Sequence, residues 1–153
     1  MKQYKSRMDA DLQVIQERVR WVGDAVFDAI RISVAALAAG DIDVLHDTVL
    51  GDLPINREVR SIDARCHAFV ARHLPAAGPL RFISSVLRMN IALERIGDYA
   101  VTIGRIGARM STPPEQAFLD DLHELTELST GMLKKAVEAF MTRDEDLARE
   151  TRR

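Results

Sequence analysis

The sequence predicts an all-α fold, an antiparallel bundle of long helices, on three observations. Apolar residues recur at alternating spacings of three and four along four long segments, which lays a stripe on one helical face. The five Pro and eight Gly sit mostly at the boundaries between those segments. No stretch alternates with a period of two over a useful length, so no sheet is expected. Long stripes joined by short turns make sequential helices antiparallel neighbours.

The first stripe reads Leu12, Ile15, Val19, Val22, Val26, Ala29, Ser33 and fades near Ala39. Gly40 is a natural C-terminal stop, and Asp41 or Asp43 can cap the second helix. The second stripe carries Leu45 and Val49, then Ile55, Val59, Ile62, Cys66, Phe69 and His73, interrupted by Gly51-Asp52-Leu53-Pro54. Pro54 lacks a backbone N–H, so it either kinks one helix or opens a new one; the sequence leaves both open. A turn from Pro75 to Pro79 ends this segment. The third stripe is the cleanest: Phe82, Val86, Met89, Leu93, Ile96, Ala100, Ile103. Ser111-Thr112-Pro113-Pro114 closes it, with Ser111 or Thr112 placed to cap the fourth helix. There the expected stripe is Phe118, Leu122, Leu125, Ser129, Met132, Ala136, Ala139, and Arg143 to Arg153 reads as the opening of a fifth helix. Because the chain stops in mid-helix without a cap, it is expected to be part of a longer protein.

Composition narrows the function classes. A length of 153 residues suits one domain, or one and part of another. With 47% hydrophobic and 29% charged residues the balance is that of an ordinary soluble protein. The net charge of −2 and the absence of a basic block argue against nucleic acid as a partner. Cys66 is alone and lies on an apolar stripe, which reads as a small core residue in a reducing compartment. The N-terminus shows no apolar signal-peptide core, and nothing approaches the roughly 20 apolar residues a membrane span needs. The expectation is a cytoplasmic protein that docks, at most, on the periphery of a membrane complex.

The chemistry concentrates in Leu93-Glu94-Arg95-Ile96-Gly97-Asp98-Tyr99-Ala100. Glu94 and Asp98 are four apart, so both carboxylates share one helical face beside the buried stripe. Like charges so placed repel by a few tenths of a kcal/mol unless a cation shares them. Paired oxygen ligands suit magnesium, manganese, iron or zinc. The bland alternative is a solvated face neutralised by Arg95 and nearby bases. Gly97 gives up roughly 1 kcal/mol of helix propensity relative to Ala, which close approach of a neighbouring helix or a ligand would explain. Asp24 and Asp28 make a second acid pair, on the solvent side of the first helix. Asp43/His46 and Asp120/His123 are Asp-x-x-His pairs, which raises a ferritin-like di-metal bundle as an alternative. Both, however, fall near helix starts, where Asp is favoured by the helix dipole. His67 and His73 read as structural or exposed. No nucleophile arrangement and no Gly-rich phosphate loop is present, so nothing argues for an enzyme.

Leu93-Glu94-Arg95-Ile96-Gly97-Asp98 resembles the signature of the PhoU family, in which it recurs once per repeat. Gly51-Asp52-Leu53-Pro54-Ile55-Asn56 is similar to the family's Gly-Asp-x-x-Ile/Val-Asn. Ile62-Asp63 and Leu80-Arg81 match two further family positions, in order and at the expected spacing. The resemblance covers roughly Met8 to Met110. It implies a three-helix repeat over residues 1–112, with 113–153 forming a fourth helix and the start of a fifth, the beginning of a second repeat. It also implies a role as an adaptor between the phosphate ABC transporter ATPase and a sensor histidine kinase, a negative regulator of the phosphate regulon and of phosphate uptake. A homodimer is expected, and iron, zinc or a similar divalent ion at Glu94 and Asp98, with Asp63 the surviving half of a second acid motif. Two departures bear on that metal. The family's acid four residues before Asp63 is Val59, which joins the apolar stripe, and the acid of its Asp-Leu-Arg turn is Pro79. Glu58 does not replace the first loss, because one residue turns the side chain by about 100°. A plain helical dimerisation module is a third reading.

Overall fold

The computed structural model describes residues 2–152, so the readings that involve Met1 and Arg153 lie outside the described residues. Five helices occur among the described residues: α1 (Lys2–Ala39), α2 (Ile42–His73), α3 (Ala77–Gly107), α4 (Gln116–Thr142) and α5 (Glu145–Glu150). No strand occurs among the described residues. The first three pack on one another as a bundle, and α4 lies along α1. No described helix is long and apolar enough to cross a membrane.

Local chemistry sets most of the boundaries. Gly40 takes the left-handed φ of 66° that an L side chain resists, and the Asp41 N–H closes back on the Ala36 carbonyl. Asp41, not Asp43, caps α2: its carboxylate accepts from the Val44 N–H at 3.1 Å. Pro54 lies inside a continuous α2 and does not divide it. The Leu50 carbonyl that loses its i+4 donor there belongs to an exposed residue, so water can satisfy it. The turn read as Pro75 to Pro79 is shorter, because α3 starts at Ala77 and Pro79 sits in its first turn, where N–H groups have no helical partner anyway. Neither Ser111 nor Thr112 caps α4; its N-cap is Glu115, without a side-chain bond.

Burial follows the predicted stripes on α1 and α2 closely. Ile15, Val19, Val22 and Val26 meet Ile55, Val59, Ile62, Cys66 and Phe69, joined from α3 by Ile83, Val86 and Leu93. Val59 is core, and Cys66 is a free, fully buried thiol. A smaller cluster of Ala36, Leu37 and Leu45 closes the far end. On α3 the buried face is displaced from the expected stripe toward Asn90, Gly97, Gly104 and Gly107, small or polar positions that a count of apolar side chains overlooks. Asn90 is accommodated there because its Nδ2 donates to the Val59 carbonyl at 2.8 Å.

The expected stripe on α4 is wrong for most of its length. Phe118, Leu125 and Met132 are more than half exposed, while Thr126, Thr130, Val137 and Met141 face inward. Two 3–4 patterns run side by side on this helix, and α1 takes the one carrying threonines. Thr126 and Thr130 satisfy their hydroxyls on the carbonyls of Leu122 and Thr126, so burying them costs little. Val137 fits into the space at Gly23 of α1, and Phe140 stacks on Phe82 of α3 with ring centroids 5.2 Å apart.

Candidate functional site: an acid seam between α2 and α3

The backbones of α2 and α3 approach closely at Gly104, where a Cβ would stand 2.9 Å from the Leu45 carbonyl oxygen. Two turns back along α3, Gly97 is looser. A Cβ there would meet Val26 at 3.6 Å and a carboxylate oxygen of Asp52 at 3.7 Å. The close approach expected at Gly97 thus occurs at Gly104, and Gly97 opens space beside an acid on the facing helix.

That acid organises the site. Burial, and then the nearby charge of Asp98, push the Asp52 carboxyl above the usual carboxylate range. A hydrogen bond from Asn56 and the charge of Arg105 pull the other way. Asn56 donates from Nδ2 to Asp52 Oδ2, and the Asn56 Oδ1 is buried with no partner among the described residues. Glu94 and Asp98 share one flank of α3, as their spacing requires; Glu94 is half-buried without an ion pair or side-chain hydrogen bond among the described residues, and Asp98 is exposed. The seam therefore gathers Asp52, Asn56, Asp98 and Arg105 from two helices, with Glu94 one turn before Asp98 on the same flank of α3.

Asp63 is not part of it. It lies eleven residues beyond Asp52, about 16 Å along α2. It is exposed and sits 3.4 Å from His67. Arg95 is exposed and forms no ion pair among the described residues. Asp24 and Asp28 border a shallow depression between α1 and α4 with Arg20 and Lys134; Asp28 also borders a second depression shared with Asp47, Thr48 and Gly51 of α2. His46 and His123 stand on α2 and α4, helices that are not neighbours, so the two Asp-x-x-His pairs do not converge. The Asp120 carboxylate instead accepts from Gln116. No group of three or more His, Cys, Asp and Glu that could hold a metal ion occurs among the described residues. The seam brings together two carboxylates, those of Asp52 and Asp98, too few oxygen donors for a multinuclear cluster.

Sequence reasoning missed Asp52 and Arg105 as site residues and had Asn56 only as part of a motif. The available signal was the i, i+4 spacing of Asp52 and Asn56 within Gly51-Asp52-Leu53-Pro54-Ile55-Asn56. What it lacked was the α2–α3 register that sets Asp52 opposite Gly97 and Asp98.

The residues of this seam lie within the stretch 19–107, which matches the PhoU domain model. The chain belongs to the PhoU family. Among its relatives, the Edwardsiella tarda phosphate-specific transport system accessory protein PhoU is 28% identical over 143 residues, covering 94% of this chain and 59% of the relative. The Pseudomonas putida PhoU homolog is 31% identical over 144 residues, 93% of this chain and 56% of that protein. The Escherichia coli K12 PhoU is 28% identical over 147 residues, 96% of this chain and 61% of that protein. This PhoU-family chain thus spans about three fifths of the length of these curated relatives.

Proposed function

We propose that this chain is a cytoplasmic phosphate-signalling adaptor and not an enzyme. It restrains phosphate uptake and the phosphate regulon by linking the phosphate ABC transporter ATPase to a sensor histidine kinase. The observation that carries the reading is the PhoU domain across α1–α3, together with relatives named as accessory proteins of phosphate-specific transport. Its faces are long, helical and exposed, which suits partner binding more than catalysis. An adaptor of this kind acts by binding two partner states unequally, since a component with equal affinity for both shifts nothing. The test is binding of the purified chain to the transporter ATPase and to the kinase cytoplasmic region, each immobilised separately. Capture of one or both at micromolar affinity supports the reading; no binding to either sinks it.

We further propose that Asp52, Asn56 and Asp98 hold a single hard divalent cation, with Glu94 within one turn and Asp63 outside the set. The cation would relieve the repulsion that raises the Asp52 carboxyl. It would also give the unpartnered Asn56 Oδ1 a ligand. Elemental mass spectrometry of wild type, Glu94→Ala/Asp98→Ala, Asp63→Ala and His46→Ala/His123→Ala separates the cases. Metal lost only from the Glu94/Asp98 variant supports the seam; loss from Asp63→Ala or from the histidine variant refutes it.

A further inference from the structure

On the side of α1 turned away from α4, α1 and α2 open into an apolar groove. α4 lies along α1 through Gly23, Phe27 and Arg31, which meet Val137, Lys134 and Glu127. Gly23 is two residues on from Trp21 and so points about 200° around the helix from it. Trp21, Ala25 and Ile32 of α1, with Val44, Gly51 and Ile55 of α2, line a depression of about 310 Å³ that is open to solvent. α2 and α4 are not neighbours. Trp21 and Ile32 keep 47% and 50% of their surface exposed, and between them the α1 side narrows to Ala25 and Ala29. Across the groove, Gly51 sits inside α2, where glycine weakens a helix. Nothing among the described residues lies within 4 Å of the place its Cβ would take, so no contact inside the chain requires the missing side chain. A close approach from outside accounts for it.

We propose that this groove takes a basic amphipathic helix of a partner protein, apolar on one face with Lys and Arg along its edges. Charge selects the occupant. Asp28 on α1 and Asp47 on α2 are the charged residues that line the groove, one on each wall. Neither is in an ion pair or side-chain hydrogen bond among the described residues. Asp43, exposed one turn before Asp47, extends the acidic edge. The basic residues on this stretch of α1 are engaged elsewhere: Arg18 holds Glu58, Arg31 holds Glu127, and Arg20 lines the depression on the α4 side. Acid on both walls attracts a basic helix and repels an anionic lipid surface or the same acidic groove of a second copy. The dimensions agree. Trp21 and Ile32 are eleven residues apart, about 16 Å or three turns, the length over which a helix seats anchors at i, i+3 or i+4, and i+7. The narrow stretch at Ala25, Ala29 and Gly51 leaves room for a large apolar anchor, and the open Trp21 ring can stack on an arginine beside it. The groove's own chemistry defines this occupant, whichever partners the adaptor reading names.

Trp21 is the only tryptophan of the chain, so its emission reports on the groove directly. The probe is a synthetic helix of Leu, Ala, Lys and Arg, apolar on one face and free of Tyr and Trp. Its control carries Glu in place of Lys and Arg. Titrated into the whole chain at micromolar concentration, the basic peptide should shift Trp21 emission saturably, and the acidic one should bind at least about tenfold more weakly. Anisotropy of the labelled peptides reads the same binding in variants. Gly51→Leu fills the groove at a point where a side chain meets nothing of its own chain, so it should fold as before and weaken binding by about tenfold or more. Asp28→Lys/Asp47→Lys should reverse the preference and take the acidic peptide over the basic one. Leu128→Glu, on the exposed side of α4, should change neither. Circular dichroism confirms that each variant is folded. Binding that leaves Trp21 emission unmoved, or that survives Gly51→Leu and is lost in Leu128→Glu, puts the peptide on α4 and overturns the proposal. An emission shift that follows the chain's own concentration without peptide gives the groove to a second copy and overturns it too, as does no binding at all.

Discussion

Adding one methyl group to Gly104 tests the account of the α2–α3 seam. An Ala Cβ there would lie 2.9 Å from the Leu45 carbonyl oxygen, 3.1 Å from Val49 Cγ2 and 3.7 Å from Thr48 Cβ. The nearest of these atoms is backbone, so no rotamer change relieves the clash and α2 has to move. Overpacking of this kind costs about 1–3 kcal/mol, against which the helix propensity of Ala over Gly returns up to about 1 kcal/mol. Gly131, with nothing within 4 Å of its Cβ position, receives the propensity gain alone. Gly104→Ala should therefore be less stable than Gly131→Ala by about 1–3 kcal/mol, the propensity term cancelling between them. In a chain of this size that is a Tm gap of roughly 2–12 °C. Urea unfolding followed by circular dichroism, with thermal melts beside it, measures the difference. Equal stabilities for the two variants would refute the argument that backbone meets backbone at Gly104.

Asp52 gives a pH signature of definite sign. Its carboxyl is raised in the folded state, so folding favours the protonated form, and that contribution is lost as pH rises past the unfolded value. Asp52→Asn should raise Tm at neutral pH and change it little near pH 3; equal effects at both would refute the assignment. Asp11 has the opposite sign. A hydrogen bond with His73, then Arg72, holds its carboxyl below the usual range, opposed by burial, so its stabilisation is present at neutral pH and lost on acidification. Asp11→Ala should cost about 1–3 kcal/mol at pH 7 by leaving the buried His73 ring without its 2.8 Å partner, and Arg72→Ala much less. Cys66 is buried with its thiol pushed up to about 11, so it should react with a disulfide reagent only after denaturant is added. Rapid labelling of the native chain would show that the second helix opens where the packing says it is closed.

The helices were legible wherever one stripe had one partner. Val19, Val22 and Val26 on α1 and Ile55 to Phe69 on α2 are core as the 3–4 spacing requires, and Val59 joined them as its side chain dictates. Gly40 announced the first corner from residue chemistry alone, while the choice of Asp41 over Asp43 as the cap waited on where α2 begins. Pro54 stayed ambiguous, because whether Leu50 can spare a hydrogen bond depends on its exposure, which only the fold decides. On α4 the spacing offered two stripes, and the choice between Leu125 and Thr126 depended on what α1 presented, not on α4 itself. The site divided in the same way. Glu94 and Asp98 share a face because they share a helix; Asp52 joins them through a register between helices, and Asp63 misses the seam for the same reason.

The two hydrophobic clusters imply that the molecule does not open everywhere at the same rate. The corner where α1 meets α2 rests on Ala36, Leu37 and Leu45, while Ile42, Leu50 and Leu53 nearby are exposed. Beyond Pro54, α2 is fastened by Ile55, Val59, Ile62, Cys66 and Phe69 in succession. Amide protons from Leu45 to Leu53 should therefore exchange with solvent well before those from Val59 to Phe69, through a local excursion that leaves the larger cluster intact. Gly104 and Gly107 lie against that same corner, so each such excursion briefly releases the end of α3 that carries Arg105. Arg105 and Asp98 both act on Asp52 from α3, so the charge balance there should follow that local opening.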